Sequence, residues 1–492
     1  MLPTGPRPWP WIGNQSLIRG LNSGSSRTLK HLTRYGDIAT IWLSRSPILV
    51  INSPRAAHEL LHSMSSKTSD RPITVHHRAK LLPWSLVLAP YGEQFHRLRK
   101  IYHHLLGQQG AMIFRRWSEE ETLFMFKSLA ERPDQAHFEC DRHAFNVTMR
   151  VIYGVRYGTE GDQRVRDTFQ LWETMFCYFL PGSLIFDYFP SMLKLPPWLQ
   201  PWMWIFRGLK RRERGLHLRH LRRIEDHYLQ SKKKSTPISG TPFAMQLLRM
   251  TDGMNIGEQA IIDVLSMLLG AGADTISCFM QQFLKAMAVN PKAAVAAQAE
   301  IDSVVGAKRL PNWEDNPNLP YVRALIKEVH RWAPFAAAGI PHSTTEDITY
   351  GDYVISKGTV LLPNIPSIMR NQERYVEPDR FDPARFLNDG SDSATSAHNP
   401  DWSKRDHVHF GWGRRLCPGV YAADICIFVA VTRVLWSFDI QPHPGIQVRM
   451  EDVSDGLLKK PLPFRLQINS RGPGYDEIVA QQLEMCSTAN KE

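Results

Sequence analysis

The sequence predicts a mainly α-helical fold with small β-sheets at its margins. Three observations carry this. Between Asn255 and Lys285, the residues Ile261, Val264, Leu265, Leu268, Gly272, Thr275 and Phe279 recur at helical spacing and mark one face of a long helix. A second helix runs from about Tyr321 to Trp332 and is stopped by Pro334, since a proline disfavours helical backbone in the residue before it. Strand-like runs are short: Asp37 to Ile51, read as a hairpin with a break at Pro47; Ile348 to Val360, where Gly351-Asp352 suits a hairpin turn; and "LPFRLQI" near the end.

Between these elements, Ser53-Pro54 opens a helix-like stretch with proline in the first-turn position. The segments Ser231 to Pro242 and Asn388 to Asp406 have the composition of surface linkers. The absence of an internal repeat removes solenoids and propellers. The proline-rich start, residues 1–15, reads as a stiff, extended lead-in rather than a signal peptide. There is no uninterrupted apolar run of about 18 residues, so no transmembrane helix is expected.

The chain has 492 residues, 43% of them hydrophobic and 22% charged, which is a globular composition. Its six cysteines are scattered without CxxC spacing, which argues against a disulfide framework or a zinc module and for a reducing compartment. A formal charge of +11 favours acidic partners or membrane headgroups. No zinc-finger, RNP-type or basic-zipper pattern accompanies it, so nucleic acid is not an expected partner.

Three constellations carry chemistry. In "FGWGRRLCPG", Phe410 to Gly419, Cys417 stands just before an apolar helix, where the helix dipole and Arg414 and Arg415 favour thiolate. Such a thiolate serves as nucleophile, redox switch or metal ligand; with no Cys or His at ligand spacing, the metal's other ligands would come from a cofactor. Gly413 and Gly419 would let backbone approach a flat macrocycle. A buried structural cysteine is the alternative. In "AGADT", Ala271 to Thr275, glycine, an acid and threonine share a helix interior, where glycine costs about 1 kcal/mol relative to alanine. They make room for a ligand and supply a hydroxyl and a proton source, unless this is an ordinary close helix crossing. In "KEVHR", Glu328 and Arg331 share a helix face and can pair, and burial decides how much that pair matters.

In this order the three features resemble the signatures of the cytochrome P450 family of haem-thiolate monooxygenases. The cysteine segment matches FxxGxRxCxG at Phe410, Gly413, Arg415, Cys417 and Gly419; "AGADT" is similar to the family's oxygen-activation motif and "KEVHR" to its ExxR. "FDPARF" resembles the PERF element, "YGEQFHRLRK" the WxxxR helix and "GIPHSTTED" the segment after ExxR. The resemblance is to the fungal microsomal branch, where secondary-metabolite hydroxylation is common, and it covers nearly the whole chain. It implies a single cytochrome P450 domain over residues 16–470 with a tail at 471–492.

The resemblance implies haem b with Cys417 as the axial thiolate and metal ligand. Phe410 would shield the thiolate, and Arg99, His342 and Arg415 would hold the haem propionates as cationic donors. Ala271 and Gly272 would open the helix over the iron, and Asp274 and Thr275 would deliver protons during dioxygen activation. Glu328, Arg331 and Arg385 would form a structural network. Met267, Leu268, Phe335, Ala336, Leu457, Leu458 and the loop from Thr74 to Leu88 would face a bulky, largely hydrophobic substrate. The expected partners are dioxygen and an NADPH-dependent flavoprotein reductase, steered by Arg97, Lys100, Lys404, Arg405 and Arg414. A haem-thiolate isomerase, dehydratase or reductase, or a non-catalytic haem binder, are the alternatives.

Two positions depart from the family pattern: Phe95 stands where WxxxR has tryptophan, and Ala384 where PERF has glutamate. The expected location is intracellular and cytosol-facing. The aromatic segment 180–215, with its trailing basic run, would give peripheral contact with the endoplasmic reticulum membrane unless those aromatics line the core or the substrate channel.

Overall fold

The computed structural model describes residues 2–23, 25–78, 80–157, 162–231, 241–252 and 256–489. The principal helices are α1 (Glu93–Leu106), α2 (Ile113–Glu131), α3 (Ala136–Tyr153), α4 (Gln163–Cys177), α5 (Pro201–Ser231), α6 (Glu258–Val289), α7 (Pro320–Trp332) and α8 (Val420–Ser437). Four strands form one small sheet in the order β1 (Ile38–Leu43), β2 (Ser46–Ile51), β6 (Val360–Pro363), β3 (His342–Ser343). Two hairpin-like pairs, β4 (Ile348–Tyr350) with β5 (Tyr353–Ile355) and β7 (Phe438–Pro442) with β8 (Leu466–Ser470), complete the β structure. The mainly helical expectation therefore holds.

Helix α6 is the axis of the core. Its apolar residues are not confined to one stripe, and it is buried nearly all round, as a helix packed on several sides must be. It lies on α3, α5 and α8. Gly270 is required where Trp172 of α4 packs flat against it: a Cβ there would stand 2.4 Å from the indole. Both long apolar helices, α6 and α8, have 83% of their most hydrophobic window buried inside the protein.

The β1–β2 hairpin turns at Ser44, whose φ is +56°, and not at Pro47. Pro47 lies within β2, opposite Trp42 and just outside the stretch that pairs with β6, so its missing N–H interrupts no bond to that strand. Gly351, with φ +54°, makes the β4–β5 turn as expected. Ser53 caps the helix Pro54–His58 by accepting from the Ala56 amide. Of the two expected linkers, residues 232–240 lie outside the described residues. The other is built into the fold: Ser393–His398 is a helix with Ala394 and Ala397 buried against α8, and Arg405 and Asp406 are buried. Its polar composition concealed side chains that are buried inside.

Candidate active site

A chamber of about 340 Å³ lies between α6 and the loop that precedes α8. Helix α6 contributes Met267, Leu268, Ala271, Gly272 and Thr275, and the loop contributes Phe410, Cys417 and Gly419. Phe335 and Ala336 follow α7 into the same wall, and Leu86 and Val87 close it from the segment before α1. The sequence-predicted residues thus converge, with informative exceptions.

Cys417 is held by its own amide, which donates to Phe410 O at 2.9 Å, in a loop bent by Gly411 (φ +79°) and Gly413 (φ +54°). It is the one cysteine of the six that lines the chamber. Cys426, one helical segment on, is buried away from it with the Ser118 hydroxyl at 3.1 Å. Burial pushes the Cys417 thiol up, opposed by the Gly419 amide and Arg99. The expected cations do not do this: Arg414 donates to the Tyr91 hydroxyl and Arg415 turns to backbone carbonyls. Gly413 also has a different reason from the one expected. It does not line the chamber; a Cβ there would stand 2.3 Å from Leu61 O and 2.6 Å from Ser65 Cβ, so the close neighbour is protein backbone.

One edge of the chamber is cationic. Arg99 and Arg415 line it, as predicted, and Arg71 joins them. Arg71 donates to Val87 O (2.8 Å) and Pro341 O (2.7 Å); Arg415 donates to Ser69 O (2.8 Å) and Ala89 O (2.7 Å) and lies with its guanidinium carbon 4.1 Å from the Phe95 ring centre. Arg99 donates to Leu416 O. Burial lowers all three guanidinium pKa values, that of Arg415 to about 10. Among the described residues no Asp or Glu lines the chamber. Of these three desolvated guanidiniums, Arg71 and Arg415 share the Asp70 carboxylate, which raises them without offsetting their burial, so this edge suits a further anionic group. The propionates of a haem fit that donor set, and the apolar remainder fits its ring. Arg71 carried no sequence signal beyond an arginine before a proline.

His342 lines the chamber but is not the cation expected: burial pushes it down to about 3, and its Nδ1 is 3.0 Å from Thr68 O. With the proton on Nδ1 donated to that carbonyl, Nε2 is an acceptor. Phe95 is buried beneath Arg415, so the ring that stands in place of tryptophan packs there and makes a cation–π contact.

Behind the chamber, Glu328 and Arg331 are both fully buried. Arg331 Nε donates to Glu328 Oε2 at 2.7 Å and its Nη2 to Oε1 at 2.8 Å, and Arg331 also donates to Met369 O, Pro378 O and Arg380 O. Arg385 joins at 3.2 Å from Glu328 Oε1. The position of Ala384 leaves no gap in this network: the Asp382 amide donates to Glu328 Oε1 at 2.7 Å, and Arg385 donates to Val376 O, Glu377 O and Arg380 O. Backbone takes the place of the missing carboxylate.

Besides Gly413, three residues predicted to act at the haem or substrate lie outside the chamber. Asp274, Leu457 and Leu458 line a side cleft with Lys460, although Leu458 bridges to Ala336 along the backbone. Of the Thr74 to Leu88 loop, Thr74 lines a separate cavity of about 300 Å³ with Arg78 and Asp187. Arg405, expected on a docking face, is 1% exposed and cannot meet a partner there.

The comparisons agree with this arrangement. The family model described as Cytochrome P450 matches residues 3–468. Cytochrome P450 monooxygenase polD of Polytolypa hystricis is 40% identical over 487 residues, covering 99% of this chain and 93% of that protein. Cytochrome P450 monooxygenase virE of Hypocrea virens is 31% identical, covering 98% and 88%, and CLM2 of Gibberella zeae is 31% identical, covering 97% and 91%. A chamber with one cysteine, a cationic edge and an apolar remainder, in a chain matched almost from end to end, means that the chain belongs to the cytochrome P450 family of haem-thiolate monooxygenases.

Proposed function

We propose that this enzyme inserts one oxygen atom of dioxygen into a bulky, mostly hydrophobic small molecule. The reaction is a hydroxylation or related oxidation in fungal secondary metabolism, with electrons from NADPH through a flavoprotein reductase. The observation that carries this reading is the meeting in one apolar chamber of Cys417 with Ala271, Gly272 and Thr275. When bound, haem b supplies the dioxygen activation. Cys417 Sγ would ligate its iron, and Arg71, Arg99 and Arg415 would hold its carboxylates. A Cβ on Gly419 would meet Sγ at 3.8 Å, an ordinary contact distance. Thr275 and Asp274 move protons, and Phe335, Ala336, Met267 and Leu268 exclude water and contact substrate. Residues 16–470 form the catalytic domain, with 1–15 a lead-in and 471–492 a tail.

Holoenzyme in which Cys417→Ser has been made is expected to lose the carbon-monoxide absorbance of a thiolate haem. Retention of that absorbance would overturn the assignment. A screen of metabolites for the low-to-high-spin shift of the Soret band then identifies the substrate.

We also propose peripheral contact with the cytosolic face of the endoplasmic reticulum through residues 180–215. Trp198 is 71% and Trp204 66% exposed, with Phe189, Leu199 and Ile205 exposed beside them. Aromatic side chains set beside basic ones suit a membrane interface. Trp202 is 2% exposed and belongs to the core, packed on Phe186. The Trp198→Ala/Trp204→Ala protein is therefore expected to lose most of its flotation with anionic liposomes; flotation equal to the parent's would sink the idea. The reductase is expected to dock where Arg97, Lys100, Lys404 and Arg414 are exposed.

A further inference from the structure

Helix α6 reaches the chamber with Thr275 but not with its neighbour. Thr275 lines the chamber and donates its hydroxyl to Ala271 O at 2.6 Å. Asp274 lines the side cleft, among Phe169, Glu173, Cys177, Asp455 and Lys460. Lys460 comes from the C-terminal loop and stands between two carboxylates: its Nζ is 2.7 Å from Asp141 Oδ1 of α3 and 3.6 Å from Asp274 Oδ1. Asp141 is fixed in turn from α6, by the Ser277 hydroxyl and by Gln281 Nε2 at 3.0 Å. The Lys460 ammonium also rests 4.2 Å from the Phe169 ring centre. The loop is tied to the chamber wall, since the Lys459 amide donates to Phe335 O at 2.7 Å.

We propose that Lys460 is a positioning residue for proton delivery, holding the Asp274 carboxyl in the side cleft, from which it turns to Thr275 carrying a proton taken from cleft water. The proposal rests on the monooxygenase reading above and deepens it. In the step, Asp274 gives its proton to the Thr275 hydroxyl as that hydroxyl passes its own toward the chamber. The Asp274 carboxylate then regains a proton from water at the cleft, so no other reactant is needed. Asp141 is the competing acceptor that keeps Lys460 from locking Asp274 in place.

The electrostatics agree with the geometry. Burial pushes the Asp274 carboxyl up to about 6, and Lys460 opposes the shift. The other groups facing it are Asp141 from α3, Glu173 from α4, Asp455 from the C-terminal loop and Cys278 on α6 itself. A carboxyl that titrates near neutrality both takes and gives a proton readily.

The test is an infrared pH titration of the carboxyl C=O bands of the holoenzyme, with the Asp274 band assigned by its loss in Asp274→Asn. Lys460→Met is expected to bind the Asp274 proton about tenfold more tightly, a rise of about one pH unit in the midpoint. Lys460→Arg is expected to keep the parent midpoint. Asp141→Asn is expected to lower it, because Lys460 then serves Asp274 alone. The same order is expected in the pH profile of hydrogen peroxide released per NADPH, measured with the ligand found by the spin-shift screen. Midpoints that do not move in Lys460→Met and Asp141→Asn would overturn the proposal, as would an Asp274 band that does not titrate. The infrared readout needs no turnover, so its failure is distinguishable from failure of the monooxygenase reading, which the carbon-monoxide spectrum of Cys417→Ser decides.

Discussion

Arg331→Ala is expected to destabilise the protein by about 3–5 kcal/mol and to lower its haem content on purification, because it leaves a charge buried without its main partner. Both side chains of the Glu328–Arg331 pair are fully buried. Removing the guanidinium leaves Glu328 with the Asp382 amide at 2.7 Å and Arg385 at 3.2 Å, and it strands the carbonyls of Met369 and Pro378, whereas Arg380 O keeps Arg385. Glu328→Ala is expected to cost as much, since it leaves the Arg331 charge instead. Arg331→Lys keeps the charge but cannot reach both carboxylate oxygens and three carbonyls together, so it is expected to fall between. Urea unfolding of the four proteins is the measurement. A loss below about 1 kcal/mol in both alanine variants would mean that the pair behaves as a surface pair does.

The sequence made that pair visible as i and i+3 on a helix, but spacing carries no information about burial. The same limit runs through the rest of the molecule. Helix α6, the Gly351 turn and the Ser53-Pro54 helix start were legible because each depends on residues within a few positions of one another. Where a long-range packing decision overrides local composition, the reading failed. Residues 388–406 look like a solvated linker, yet Ser396 Oγ accepts the Asp406 amide at 2.8 Å and Lys327 reaches Asp389 at 2.8 Å. Polar residues that satisfy one another inside are indistinguishable in composition from polar residues in water.

The site shows the same division. Cys417, Thr275 and Arg415 could be placed by motif, because their roles depend on backbone held in register. Arg71 could not, since it reaches the chamber from an irregular segment whose geometry is fixed by carbonyls more than 260 residues away, those of Ile340 and Pro341. Gly413 was legible as a required glycine but not for what, because the atoms that exclude its side chain belong to Leu61 and Ser65. Asp274 was legible as an acid beside Thr275, whereas its position in the side cleft depends on Lys460 from the far end of the chain.

Glu213→Gln is expected to stabilise the protein, increasingly so as pH rises. Glu213 lies on α5 against α6, fully buried, with the Ser266 hydroxyl as a weak hydrogen-bonding neighbour of its carboxyl. Burial pushes its pKa up to about 8, with Asp263 adding to the shift and Ser266, Lys210 and Arg214 opposing it. One turn along, His217 is also buried and is pushed down to about 3, its Nδ1 2.7 Å from the Tyr153 hydroxyl, so this strip of the helix contact is neutral at pH 7. The sign follows from comparing the two states. Below the ordinary value of 4.5 the carboxyl is protonated both folded and unfolded, and it contributes no pH dependence. Between 4.5 and about 8 the unfolded chain ionises while the folded one stays neutral, so folding must take up a proton and stability falls by up to about 1.4 kcal/mol per pH unit. Above about 8 the loss is complete. Glutamine has nearly the same shape and no proton to take up. The stability gap between variant and parent should therefore open from near zero at low pH to about 3–5 kcal/mol at the upper end of that window. Urea unfolding of both proteins across the window isolates this residue, because other buried acids such as Asp424 contribute equally to both curves. A gap that stays constant with pH would mean that Glu213 is already ionised within the helix contact, and the close seating of α5 on α6 could not then depend on a neutral acid.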